Sequence, residues 1–254
     1  MLSCLNCNTP LATDQRFCGH CGQKSATRRL TLHDIGHEVW HAMTHTDHSV
    51  LGLIKALLTR PGEVAREFVQ GQRKRYFNPF TFLVVAVGLS SLAMVWAGIG
   101  FNDPKLHPGP VGRFLQRNLN LYFLLQVPLL ALWGRVLFRK NGMNLAENLV
   151  LGAYATGLRS LGLLLLVAPL AAGLNAMAEP SSGSLLVRLP DAVFALAWTL
   201  FFGWASAQFH CGASWRARDW LKGCAVELLA FTTSFAAIFV TFVLWFRFYS
   251  PSAQ

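Results

Sequence analysis

The sequence predicts an all-α integral membrane protein with about five transmembrane helices and a small polar head at its N-terminus. Of its 254 residues, 53% are hydrophobic and 13% are charged, about half the charge of soluble domains, in which roughly 25% of residues are charged. The long apolar stretches follow Asn78, whereas residues 1–78 are polar and rich in Arg, Lys and His. The chain therefore divides into a soluble head and a membrane body.

Five apolar segments are long enough to cross ~30 Å of hydrocarbon, a distance that takes about 20 helical residues. They are residues 79–101, residues 119–138, a stretch within 145–177, a stretch within 185–209, and residues 223–248. Together they predict a five-helix transmembrane domain over residues 79–248, followed by a tail at 249–254. The third segment is longer than one straight span needs, so its first part, up to residue 158, could lie along the inner membrane surface.

The basic residues predict the orientation of the spans, because Lys and Arg accumulate in cytoplasmic loops. Of the 22 Lys and Arg, 16 fall on the side of the head, five fall on the other side, and Arg159 lies within a segment. The N-terminus is therefore expected in the cytoplasm and the C-terminus outside. The first residues also lack the basic start and apolar core of a secretory signal.

The formal net charge of +10 raises the question of a nucleic-acid partner. The basic residues mostly flank apolar segments, and that distribution is typical of orientation signals and of contacts with anionic lipids. We therefore expect the lipid bilayer as the partner of this charge, and we do not expect nucleic acid. A cytoplasmic protein partner of the head is a further hypothesis.

Four cysteines predict a zinc ribbon over residues 1–24. Cys4 and Cys7 form one CxxC pair, and Cys18 and Cys21 form a second pair after ten residues. The two-residue gap lets both thiolates of a pair face one ion, and two pairs complete a tetrahedron. We expect one structural zinc ion, which supplies the folding energy that so short a segment lacks. The alternatives are a redox motif, disulfides, or iron in the same sulfur cage.

Residues 25–78 predict cytoplasmic amphipathic helices that end in a basic anchor at 73–75. Pro61 suits the first turn of one of these helices, which we expect to end near Gly71. Within them, His37-Glu38-Val39-Trp40-His41 matches HExxH, in which two histidines bind zinc and the glutamate is the general base. A second metal at His37, His41 and His45, with Glu38 as catalytic base, would make a membrane hydrolase. A helix separates His37 from His45 by ~12 Å along its axis, so no third ligand is evident. We favour an interfacial helix with an apolar stripe.

Arg159 and Glu227 are ionisable residues within apolar segments, where charge is costly and often functional. Arg159 either extends to the inner interface or forms a buried pair with Glu227. If the pair is functional, a small-solute carrier is a second alternative. Glu147, Asp191 and Glu227 all lie near the predicted ends of spans, where headgroups and water are within reach.

These motifs together resemble a bacterial family known only as a domain of unknown function. The resemblance is carried by the two CxxC pairs, by HExxHAxTHxD, and by RPGxVxREFxxGxRKRYFNPF with Arg60, Pro61, Tyr76, Asn78 and Pro79. It is specific over residues 1–85 and loose beyond them. It implies a bacterial inner-membrane protein with a zinc ribbon, and it brings no activity. The sequence therefore favours a non-enzymatic binding, scaffold or regulatory module.

Overall fold

The computed structural model describes residues 2–27, 29–32, 34, 50–97, 119–170, 173 and 185–249. Two short strands precede seven helices in this part of the chain. The strands are β1 (Leu2–Ser3) and β2 (Pro10–Leu11). The helices are α1 (Val50–Thr59), α2 (Pro61–Val69), α3 (Pro79–Ala97), α4 (Leu119–Leu137), α5 (Leu145–Gly162), α6 (Leu185–Cys211) and α7 (Ala217–Tyr249).

The N-terminal strands form a small antiparallel hairpin. Leu2 pairs with Leu11, and Ser3 pairs with Pro10. Two cysteines pack against Leu11 in a separate small core, in which Cys4 and Cys18 are each 2% exposed. This hairpin provides the first pair of cysteines, so the backbone of the head is organised around sulfur rather than around apolar side chains.

Helix α2 is an amphipathic helix that packs on α5 and α6. Pro61 occupies its first turn, where the missing N–H costs nothing and the fixed φ favours a helix. Its apolar face is buried, with Val64 and Ala65 at 0% and Phe68 at 1% exposure. The prediction of a helix that starts at Pro61 is therefore confirmed. The buried face of α2 packs against the long helices α5 and α6.

The start of α3 is set by Asn78 and Pro79, as the motif at this position favours. The Asn78 side chain accepts hydrogen bonds from the backbone N–H groups of Phe80 (2.9 Å) and Thr81 (3.3 Å). These groups are donors that a helix N-terminus leaves without an intrahelical partner. Asn78 therefore ends the polar N-terminal segment and begins α3.

Three helices in the described ranges are long and apolar enough to cross a membrane, and they indicate a membrane protein. They cover Leu145–Leu170, Leu189–Ser214 and Ala217–Leu244. Over the residues of α3 and α4 whose side chains the structure describes, the apolar stretches are Pro79–Ala93 and Phe123–Leu137, which are shorter than the roughly 20 residues that cross a membrane. Large apolar side chains are exposed along these helices, including Leu89, Leu165, Leu196, Phe235 and Phe239, which is the pattern expected of a lipid-facing surface.

Helix α5 differs from the expectation of a surface part up to residue 158 that is followed by a separate span. It is continuous, because a π-helical turn at Leu163–Val167 joins it to the residues that follow, and it does not break near Arg159 into a surface part and a span. A capping box starts it: the Asn144 side chain accepts from the Glu147 backbone, and the Glu147 side chain accepts from the Asn144 backbone. Most of its residues from Ala146 to Ser160 are buried, and it packs against α2, α3 and α4.

Candidate functional site

Two tight turns position the four ribbon cysteines. In the first turn, the Asn8 N–H donates to the Cys4 carbonyl at 2.9 Å. In the second turn, the Cys18 N–H donates to the Gln23 carbonyl at 2.7 Å, and the Gly22 N–H donates to the Cys18 carbonyl at 2.9 Å. Gly22 has a φ of 70°, which glycine adopts without steric cost. Each CxxC pair therefore sits on a closed turn that directs both sulfurs to one side.

The four sulfurs form a cluster of the size that a tetrahedral metal site requires. All four Sγ atoms lie within 4.8 Å of one another, and the Cys4–Cys21 and Cys7–Cys18 pairs are 3.6 Å apart. A tetrahedron with ~2.3 Å zinc–sulfur bonds has edges of about 3.8 Å. All four cysteines are free rather than disulfide-bonded. The residues thus fit a metal ion that takes four sulfur ligands, a group that includes zinc and iron.

The hydrogen bonds that Cys7 receives favour its thiolate. Its Sγ lies 3.1 Å from the Thr9 hydroxyl. This contact, together with the Thr9 backbone N–H, lowers the pKa of Cys7 to about 5. Burial raises the pKa of Cys21 in the same cluster to about 11. Because the thiolate rather than the thiol binds metal, the hydrogen bonds from Thr9 favour the metal-binding form of Cys7.

Gln23 attaches the ribbon to the turn that precedes α3. Its side chain is buried, donates to the Gly71 carbonyl and accepts from the Lys74 N–H at 3.3 Å. Gly71 has a φ of 111°, and a Cβ there would lie 2.9 Å from the Leu5 side chain. Since Gln23 follows Cys21 by two residues, the turn that carries the second cysteine pair also positions the side chain that makes this attachment.

Arg29 attaches the segment after the ribbon to the start of α5. Its Nε and Nη2 atoms donate to the two carboxylate oxygens of Glu147 at 2.7 and 2.8 Å, and Nη2 also donates to the Gly142 carbonyl. This hydrogen bond to Glu147 raises the pKa of Arg29. Glu147 lies at a helix end, as expected, but it is only 3% exposed. Its partner is therefore Arg29 rather than water.

The residues of the RPGxVxREFxxGxRKRYFNPF motif form a charged network at the base of the helices. Glu67 accepts hydrogen bonds from the Arg60 Nη1 atom at 3.2 Å and from the Tyr76 hydroxyl, and it forms an ion pair with the Arg75 Nη1 atom at 3.4 Å. Arg60 also donates to the Tyr76 oxygen at 3.0 Å. Burial and the hydrogen bond to Glu67 raise the pKa of Tyr76 to about 12. Tyr76 therefore stays a neutral donor, and the network ties α2 to the segment before α3.

Gly62 of the same motif marks a close contact between α2 and α6. Its N–H donates to the Gln208 side-chain oxygen at 3.1 Å. A Cβ at Gly62 would lie 2.1 Å from the Ala205 carbonyl oxygen, so only glycine fits without displacement. The motif thus fixes the position of α2 from both of its ends.

A buried ion pair joins α5 and α7 in the protein interior. The Arg159 Nη1 atom donates to Glu227 Oε1 at 2.9 Å, and their side chains are 10% and 3% exposed. Gln126 of α4 donates to the same oxygen at 3.2 Å. Of the two alternatives for Arg159, the structure has the buried pair and not the guanidinium at the interface.

The histidine motif lies outside the described residues. This applies to His37, Glu38, His41 and His45, so the second metal site and the catalytic base stay predictions. Within the described ranges, the cluster of Cys4, Cys7, Cys18 and Cys21 is the group of His, Cys, Asp and Glu side chains that could hold a metal ion.

Several polar residues that organise these sites were not found from the sequence. Gln23 and Gln126 are neutral amides, which carry no charge or spacing signal. His210 is buried in α6, with Nδ1 at 2.9 Å from the Ser206 carbonyl and Nε2 at 3.0 Å from Asn148 Oδ1. The sequence signal that could have found Gln126 and His210 is that each is a polar residue within an apolar segment.

A family model matches part of the chain. The family, described as "Protein of unknown function (DUF3667)", matches residues 53–90, which include the Arg60–Glu67–Tyr76 network and the start of α3. This match fits an uncharacterised family and assigns no activity. No curated protein and no solved structure matches the chain.

Proposed function

We propose that the chain is a non-enzymatic binding or scaffold module of a bacterial inner membrane, whose zinc-bound ribbon is the cytoplasmic head of a five-helix membrane domain. The observation that carries this proposal is the attachment of the four-cysteine ribbon to the membrane-proximal turn through Gln23. Helices α5, α6 and α7 are three of the proposed spans, and α3 and α4 are the other two.

The chemistry of the donor set supports a structural role for the metal. Four thiolates fill a tetrahedral zinc site, which leaves no open position for a water molecule or a substrate. The ion would be bound by Cys4, Cys7, Cys18 and Cys21, and its contribution is the folding of the ribbon. A head of this kind can bind a partner through its surface, but it has no metal position at which a reaction could take place.

An exposed aromatic side chain supports a protein partner for the head. Phe17 immediately precedes the second cysteine pair and is 54% exposed, although aromatic side chains are usually buried in a protein or at an interface. Its neighbour His20 is also exposed. We propose this end of the ribbon as the contact surface for a cytoplasmic protein.

The orientation of the proposed spans places the head and the RKR anchor in the cytoplasm, near anionic lipid headgroups. Lys74 and Arg75 are exposed and close to the start of α3, which supports that contact. Reporter fusions after Gln72 and after Gln254 should report opposite sides of the membrane. Two cytoplasmic reports would reject five spans.

The zinc content of the purified chain tests the proposal. We expect one zinc per chain, retained when His37 and His41 are both replaced by Ala, because the cysteines alone hold it. Cys21→Ser should remove that zinc. Two zinc ions per chain, with one lost in the histidine variant, would instead support the metal-dependent hydrolase. Iron in place of zinc would reject the proposed metal and keep the ribbon.

A further inference from the structure

We propose that a water molecule binds between α4, α5 and α7, at a polar site formed by Gln126, Thr156, Arg159 and Glu227. The four side chains belong to residues that are 1%, 1%, 8% and 2% exposed. Three of them are joined directly, because Glu227 Oε1 accepts from Arg159 and from Gln126. Thr156 precedes Arg159 by three residues on α5, which places both on one face of the helix. This inference goes beyond the proposed role of the ribbon.

Each of these side chains has an atom whose hydrogen-bonding capacity the protein does not use. Gln126 Oε1, Thr156 Oγ1, Arg159 Nε and Glu227 Oε2 are buried, without a hydrogen-bond partner in the described part of the chain. Buried polar atoms are almost always paired with protein or with ordered water. Three of these atoms belong to side chains that are joined by hydrogen bonds, and the fourth lies on the same face of α5 as Arg159. This arrangement supports a single ligand shared by the four atoms.

The Thr156 hydroxyl is the most informative of the four. Hydroxyls on helices commonly donate to a carbonyl one turn back, which satisfies them locally. Other hydroxyls in the described helices do so, whereas that of Thr81 in the first turn of α3 does not; those that do belong to Ser90, Ser160, Thr199, Thr232, Thr233, Ser234 and Thr241. Thr156 has no such bond, although its helix offers the same carbonyls. Its hydroxyl is thus available to a ligand.

The chemistry of the free atoms selects a neutral ligand with both donors and acceptors. The charges of Arg159 and Glu227 cancel, so the site favours neither a cation nor an anion. Glu227 Oε2 and Gln126 Oε1 are acceptors, Arg159 Nε is a donor, and the Thr156 hydroxyl can be either. Water offers two donors and two acceptors and is the smallest such molecule, as packing at this burial requires.

The shape of α5 next to the site supports this assignment. The π-helical turn at Leu163–Val167 starts four residues after Arg159, and single π-turns inside helices often occur at functional sites. Ionisable residues within membrane helices commonly mark routes for protons or solutes. A bound water would give the Glu227 carboxylate a partner for proton exchange that the protein alone does not provide.

Radiolytic hydroxyl-radical labelling of the whole chain in lipid nanodiscs tests the proposal, because radicals formed from a bound water label the side chains beside it. Phe123 and Leu130 lie one turn on either side of Gln126 and are 5% and 4% exposed. We expect several-fold faster labelling of Phe123 and Leu130 than of Phe68 in α2 and Leu57 in α1, which are each 1% exposed.

Two variants decide whether the labelling comes from this site. Thr156→Val keeps the shape of the side chain and removes one water ligand, so labelling of Phe123 and Leu130 should fall. Thr232→Val is the matched control, because its hydroxyl is satisfied by its own helix, and it should leave labelling unchanged. The double variant Arg159→Met, Glu227→Leu should abolish the excess. Labelling equal to that of Phe68 and Leu57, or unaffected by Thr156→Val, overturns the proposal.

Discussion

The ribbon and the helical body are held together by different forces. The buried core of the ribbon consists of Cys4, Leu11 and Cys18. The body has one continuous apolar cluster that draws on all seven helices, from Leu53 of α1 to Ala230 of α7. At about 25 cal/mol per Å² of buried apolar surface, only the body buries enough to fold by packing.

This difference separates what a change should do in each region. In the ribbon, the loss of one metal ligand should remove the whole fold, because little else holds it. In the body, apolar packing tolerates small changes, and the sensitive positions are those at which a charge is buried or two backbones touch. The predictions below run from the largest expected effect to the smallest.

Removing the metal should unfold the ribbon and leave the helices intact. Cys18→Ser, or a strong chelator, should expose the backbone of residues 2–27, because binding of a structural zinc ion contributes on the order of 10 kcal/mol. Hydrogen exchange followed by mass spectrometry would show loss of protection there, with unchanged helical circular dichroism. Cys211→Ser, outside the ribbon, is the control. A ribbon that stays protected without metal would contradict the contrast between the regions.

Breaking the buried ion pair should destabilise the body strongly. Glu227→Leu alone leaves Arg159 buried without its partner, which costs about 3–5 kcal/mol, whereas replacing both by apolar residues is often nearly neutral. Denaturant unfolding in detergent measures the free energy of unfolding of the single variant and of the variant in which both residues are replaced. Arg218→Met is the control, because its side chain is 72% exposed and its surface ion pair contributes about 1 kcal/mol or less. A single variant as stable as the double variant would show that Arg159 and Glu227 are not coupled.

Gly62→Ala, which adds one methyl group, should lower the free energy of unfolding by about 1–3 kcal/mol, the usual effect of overpacking a tight contact. The cause is the Ala205 carbonyl oxygen, 2.1 Å from the position of the new Cβ. Gly88→Ala in α3 is the matched control, because a Cβ there meets nothing within 4 Å and alanine favours a helix. The same unfolding measurement compares them. Equal stability of the two variants would mean that α2 does not pack closely on α6.

Local patterns determined much of this structure. The two CxxC spacings predict the cysteine cluster, because a two-residue gap fixes the directions of both side chains whatever surrounds them. Pro61 predicts the start of α2 for a similar reason, since it acts on the backbone within one turn, and the apolar segment that begins at residue 79 predicts the start of α3. The apolar segments predict the long helices, although their number as membrane spans remains a prediction.

Only the tertiary structure decided which distant residues meet. The pairing of Arg159 with Glu227 across 68 residues, of Arg29 with Glu147, and of Gln23 with Gly71 depends on how the helices pack, and no local spacing encodes it. The inward-facing position of Gln126 has the same origin, because an amide within an apolar segment gives no sign of its partner. Sequence patterns fix what the backbone does within a turn, whereas packing fixes the contacts that satisfy a buried polar group.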